Sequence, residues 1–191
     1  LARHALEVRG SDRAHVALSA QFSVHRIERA YQAIVWGVPS PPGGSIDRPI
    51  GRHPRDRKRM AVVDGGKRAL THYRVQEAFG TLAARLDLAL ATGRTHQIRV
   101  HLASLGLGII GDPVYRPRRR PQIGAALLRH LANFERIALH AYRLGFVHPV
   151  TGVSCSFERP PPPSLDRLGE QLRAEVACSC LINHTTGNLT G

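Results

Sequence analysis

Apolar positions recur along the chain with two different periods. In residues 14–22, Val16, Leu18, Ala20 and Phe22 sit among good helix formers, which predicts a helix. Residues 31–38, YQAIVWGV, are rich in β-branched and aromatic side chains and predict a strand that stops at Pro39, with SPPGGS (40–45) as a loop. Residues 68–79 and 82–91 alternate, and the short turn at Gly80 makes them a hairpin. Residues 46–63 follow, and their Arg-, His- and Lys-dense middle predicts a solvated arm rather than a core element. Thr95 predicts the cap of a helix over 96–105, with Ile98, Leu102 and Leu105 on one face and Gly106 as its stop. RPRRR (116–120) reads as a basic loop. Residues 139–147 and 153–158 read as strands around a turn at HPVTG (148–152). Ser164 then predicts the cap of a last helix lined by Leu165, Leu168 and Leu172. Strands outnumber helices and hairpins outnumber βαβ units, so the expected class is α+β, a mixed, mostly antiparallel sheet with flanking helices.

Charge adds the first functional constraint. Among 191 residues, 27 Lys and Arg face 14 Asp and Glu, a formal +13. Only Lys58 and Lys67 are lysines. A domain this basic is built to meet a polyanion, and arginine suits phosphate because its planar fork binds two oxygens at once. No basic amphipathic helix with an aromatic face is seen, so nucleic acid is favoured over an anionic membrane. Residues 1–10, LARHALEVRG, lack the apolar block of a signal peptide, so a cytoplasmic location is expected. Cys155, Cys178 and Cys180 give no disulfide framework, and Cys178, Cys180 and His184 match no common zinc spacing, so no metal is expected. The composition divides the chain into an unplaced segment 1–10, one domain over 11–173, and a tail over 174–191 expected to be disordered.

The segment TGRTHQIRVHLASLGLGIIGDPVY (92–115) carries the most chemistry. It reads as a strand end, a glycine turn and a helix that starts among polar residues. Arg94 sits beside the positive end of that helix, where a cation is disfavoured unless it faces an anion. It therefore calls for a carboxylate or a phosphate. On a helical wheel Arg94, Gln97 and His101 fall near the apolar face, and His96 and Arg99 away from it. Asp112 is expected to close the GDPVY turn.

GRTHQIRVHLASLG followed by GDPVY resembles the signature of the RluA-type RNA pseudouridine synthases. ERAYQAIVWG (28–37), GKRALTHYRV (66–75), IALHAYRLGFVHPVTG (137–152) and FERPPPP (157–163) resemble further segments of that family, in the same order. The resemblance implies a cleft across the sheet that takes a uridine flipped out of structured RNA, the large-subunit ribosomal RNA above all. It implies an aspartate that attacks or acts as base while the sugar–base bond breaks, with no metal or organic cofactor. By the same resemblance Tyr31 stacks on the uracil and Arg94 pairs with that aspartate, and these two are the candidate catalytic residues. Arg99 and His96 are expected to support the fold or contact RNA. Arg57, Lys58, Arg116, Arg118, Arg119 and Arg120 are expected RNA contacts, and the chain is expected to be a monomer.

One part of the pattern has no counterpart. The family carries its aspartate in an HRLD-type motif upstream of the first helix, and this sequence has none. HRIE (25–28) lies directly before Tyr31, inside another motif, and Glu28 is one methylene too long. The expectation is a chain truncated ahead of that motif, which holds RNA but does not turn it over. A non-catalytic RNA-binding module derived from this fold is the alternative reading, and a ribosome-associated structural protein, suggested by charge alone, is the weaker rival.

Overall fold

The computed structural model describes residues 12–23, 27–117 and 121–186. In chain order the elements are α1 (Asp12–Ser23), β1 (Glu28–Trp36), β2 (Gly43–Asp47), β3 (Ile50–Arg52), β4 (Met60–Val62), β5 (Leu70–Phe79), β6 (Ala83–Leu90), α2 (Gln97–Ser104), α3 (Ala125–Ala132), β7 (Leu139–Val147), β8 (Ser154–Glu158) and α4 (Pro163–Thr186). Six strands form one sheet in the order β2-β5-β6-β1-β7-β8, and β3 pairs with β4 in a separate ribbon. Every pairing is antiparallel.

The register sorts the side chains into two faces, because opposed residues share a face and successive ones alternate. Tyr31 lies opposite Leu88, and Leu88 opposite Tyr73; Ala33, Leu86 and Val75 continue that face. Gln32 lies opposite Asp87 and Ile34 opposite Arg85, on the reverse face. Helix α2 covers the Tyr31 face, since its Gln97 bonds the hydroxyl of Thr71, two residues along β5 from Tyr73. Helix α4 covers the reverse face, where Gly169 is flush with the Arg85 guanidinium; a Cβ there would stand 2.6 Å from Nη2. The main core fills both sides, with Ile34, Leu86, Leu88, Leu102, Leu127, Leu168 and Leu172 all 2% exposed or less.

Four expectations are refined or corrected. The basic middle of 46–63 is exposed at residues 54–58, as expected, but as the tip of the paired β3–β4 ribbon, with Ile46 and Ile50 on its flank buried. Its apolar residues are too few and too scattered to outweigh the arginines by pattern, and their burial is supplied by α2. Thr95 caps nothing: His96 holds the N-cap position, in a left-handed backbone conformation (φ 56) with no side-chain cap bond. Ser164 lies within the first turn of α4, where its hydroxyl accepts a bond from Arg136 Nη1 at 3.3 Å. The segment expected to be a disordered tail continues α4 to Thr186, and residues 187–191 lie outside the described residues, as do residues 1–10. Helix α3, whose Leu127 is buried, was not anticipated at all. No helix among the described residues is long and apolar enough to cross a membrane.

Candidate functional site

The site is built where β6 hands over to α2. Gln97, 2% exposed, organises the turn with its amide. Its Oε1 accepts from the Arg94 backbone N–H at 2.9 Å and from the Thr92 hydroxyl at 2.7 Å. Its Nε2 donates to the Leu70 carbonyl at 2.9 Å and to Thr71 Oγ1 at 3.0 Å. Thr92 Oγ1 in turn accepts the Leu70 N–H at 2.9 Å. One turn along the helix, His101 is fully buried, with Nδ1 2.9 Å from Thr71 Oγ1 and Nε2 3.0 Å from the Arg48 carbonyl. A carbonyl only accepts, so Nε2 carries the proton and Nδ1 accepts from the threonine. The ring is neutral: burial pushes its pKa down, against the upward pull of the Arg48 carbonyl.

Arg94 leaves this turn half-buried, its Nε donating to the Arg68 carbonyl at 3.1 Å. Among the described residues it has no ion pair with a carboxylate. Tyr31 lies on the same face of the sheet, partly buried against the core. Burial raises its pKa, and the Arg29 cation opposes that rise, so it stays a neutral phenol across the physiological range. Arg29 is also the link to the turn: a Cβ at Gly93 would stand 2.4 Å from its Nη1. Sequence reasoning passed over Arg29, although it lies two residues before Tyr31 on an alternating strand and so points to the same face.

The other expected residues separate by environment. Arg99 gives Nε and Nη2 to Asp112 at 2.7 and 2.8 Å, and the Asp112 side chain is fully buried. Asp112 Oδ1 also accepts the amides of Val114 at 2.8 Å and Tyr115 at 3.0 Å, so it closes the GDPVY turn as expected. Burial pushes the Asp112 carboxyl up, but Arg99 and the two amides outweigh it and hold the pKa below its ordinary value. Gly111 is required in that turn: its φ is +77°, and a Cβ would meet the Arg136 carbonyl at 2.1 Å. His96 Nδ1 lies 3.0 Å from the Tyr115 hydroxyl, and burial and Arg99 lower its pKa. Arg57 and Lys58 are exposed at the tip of the β3–β4 ribbon, and Arg116 is exposed after the GDPVY turn. Arg118, Arg119 and Arg120 lie outside the described residues. Glu28 is spent on Arg143, 3.2 Å away.

Comparison with known proteins gives the same reading. A family model described as RNA pseudouridylate synthase matches residues 10–104. The ribosomal large subunit pseudouridine synthase D of Pseudomonas aeruginosa is 48% identical over 164 residues, 85% of this chain and 51% of that protein. Its counterpart in Escherichia coli (strain K12) is 46% identical over 151 residues, 78% of this chain and 46% of that protein. The chain thus spans about half the length of the curated relatives it matches. Among solved structures, Human RNA Pseudouridylate Synthase Domain Containing 4 aligns with a TM-score of 0.65 at 27% identity, covering 86% of this chain and 69% of that one. Human RNA Pseudouridylate Synthase Domain Containing 1 aligns with a TM-score of 0.62 at 27% identity, covering 83% and 71%. With the motifs in order, the sheet topology and these relatives in agreement, the chain belongs to the RluA-type RNA pseudouridine synthase family.

Proposed function

We propose that the protein acts in the conversion of uridine to pseudouridine in large-subunit ribosomal RNA, and that this chain supplies the base-stacking and cationic part of the site. Tyr31 offers a neutral, half-buried ring to a flipped uracil, with its hydroxyl available for a hydrogen bond. Arg94 offers a guanidinium to an anion, either the nucleophilic carboxylate or a phosphate. Arg57, Lys58 and Arg116 extend the basic surface along the RNA backbone, with His96 at its margin, while Arg99 serves the fold through Asp112. The single observation that carries the reading is that Tyr31 and the Arg94 turn share one sheet face, joined through Arg29.

The same geometry supports a chain that binds RNA without turning it over. Breaking the sugar–base bond needs a carboxylate at that bond, and misplacement by about 1 Å costs on the order of a hundredfold in rate. Asp112 is held by Arg99, Glu77 is held by Arg173, and Asp87 lies on the reverse face beside Gln76. The test has two measurements. Binding to ribosomal RNA is titrated at several salt concentrations, where a steep loss of affinity with salt is expected. The RNA is then probed for pseudouridine by carbodiimide treatment and primer extension. Site-specific product above a no-protein control sinks the inactive reading; restored product on adding an HRLD-bearing segment upstream supports the enzyme over a purely binding module.

A further inference from the structure

Helix α2 has a second apolar face that the family chemistry does not use. Ile98 and Leu102 point into the main core, while Val100 and Ala103 join Ile50, Ala69, Tyr115 and Met60 in a separate small core beneath the β3–β4 ribbon. This ribbon carries the exposed Arg55, Arg57 and Lys58. Polar bonds hold it at three places. Where the chain enters it, the Arg48 carbonyl accepts from His101 at 3.0 Å. Where the chain leaves it, the Arg68 carbonyl accepts from Arg94 itself at 3.1 Å. At its return strand, the Met60 amide donates to the Tyr115 hydroxyl at 3.0 Å, an oxygen that also faces His96, and the neighbouring Arg59 Nη2 donates to the Val114 carbonyl at 2.9 Å. The Tyr115 ring is fixed in turn between the guanidiniums of Arg99 and Arg59, 4.8 and 5.4 Å from its centroid. Gly66 allows the close approach at the ribbon's root, where a Cβ would meet Ile50 backbone atoms at 2.6 Å.

We infer that Tyr115 is a positioning residue that clamps the basic ribbon to helix α2, so that the ribbon's cations and Arg94 are presented to RNA as one rigid unit. The inference rests on the RNA reading above. A ribbon held only at its two roots would swing its tip and lose phosphate contacts to entropy. Fixing the return strand as well removes that freedom before RNA arrives, which is how preorganisation raises affinity.

Tyr115→Phe removes the hydroxyl and keeps the ring between its two arginines. With a labelled ribosomal RNA stem-loop as probe, the substitution is expected to weaken binding about fivefold, the worth of one ordinary hydrogen bond. It should also flatten the salt dependence, since fewer phosphates are neutralised at once. In a background of Arg55→Gln, Arg57→Gln and Lys58→Gln it should have no further effect, because the ribbon then has nothing to present. Hydrogen exchange should show the Met60 amide opening faster while β6 amides keep their rates. Wild-type binding with salt dependence, but with Tyr115→Phe neutral or its loss fully additive in that background, overturns the clamp and leaves the RNA reading standing. A wild-type chain that does not bind RNA overturns the RNA reading; unchanged exchange at Met60 then overturns the clamp as well.

Discussion

The two faces of the sheet fix their helices by different means. On the Tyr31 face, α2 is held by neutral groups whose protons are all assigned: Thr92 and the Arg94 amide give to Gln97, Gln97 gives to Leu70 and Thr71, Thr71 gives to His101, and His101 gives to Arg48. On the reverse face, the polar contacts that supplement the buried leucines of α4 are charged. Arg85 reaches Asp166 at 3.4 Å and Glu77 at 3.8 Å, and Glu77 also takes Arg173 at 2.6 Å, around a polar cavity of ≈ 300 Å³ that Gln32 and Glu170 complete. A neutral buried relay tolerates one geometry and is insensitive to salt. An ion-pair cluster open to water tolerates several geometries and is screened. The face that carries the candidate site is the one built for a single arrangement, and the face behind it is the forgiving one.

The largest expected effect comes from the buried Arg99–Asp112 charge pair, which ties α2 to the GDPVY turn. Asp112→Ala leaves Arg99 half-buried without its carboxylate and opens the GDPVY turn, a loss of about 3–5 kcal/mol in unfolding free energy. Urea denaturation measures it, and a loss below about 1 kcal/mol contradicts the picture of an indispensable pair. Next is Gln97→Leu, which conserves bulk but strands the Arg94 amide and the Thr92 hydroxyl; about 2–3 kcal/mol is expected by the same measurement.

Acid titration gives a smaller and slower effect. His101 and His96 both have folded pKa values below the ordinary histidine value, so the unfolded chain takes up protons that the folded chain refuses. Their contribution is complete above about pH 6.5 and is lost as pH falls from there through the folded values. Asp112, also lowered, holds its contribution above about pH 4 and loses it only in stronger acid. Denaturation midpoints should therefore begin to fall below neutrality, and His101→Gln should flatten the upper part of that fall; an unchanged slope sinks the neutral-relay account. The smallest effect belongs to the reverse face. Arg173→Ala removes one exposed partner of Glu77 and should leave the midpoint unmoved, with salt making no difference to the comparison. A clear loss there would erase the contrast between the faces.

What could be read in the sequence follows from how local each cause is. The 92–115 segment was legible because its helix, its glycine stops and the Asp112 turn bond all act within a few residues. The β1 strand was legible because its β-branched run speaks for itself. The burial of Ile50 and the partial burial of Met60 and Val62 were not legible, since the partners that cover them, Val100 and Tyr115, come far later in the chain and the arginines between them dominate the pattern. Helix α3 was missed next to the RPRRR run for the same reason. In the candidate site, Tyr31 and Arg94 were singled out through the family motifs. Arg29 needed the register, because only pairing shows that it meets Gly93.

The separation between Met60 and Tyr115, 55 residues, sets an order of events in folding. The β5–β6 hairpin and α2 close through near neighbours, whereas the ribbon has to wait for a side chain delivered after α2 is complete. Loop closure over that span is slow relative to hairpin formation. The docking of the ribbon therefore waits on α2 and the GDPVY turn, later than the pairing of the β5–β6 hairpin beside it. A chain lengthening residue by residue has β5 and β6 before the ribbon can meet Tyr115, and adds β7 and β8 to the sheet only afterwards.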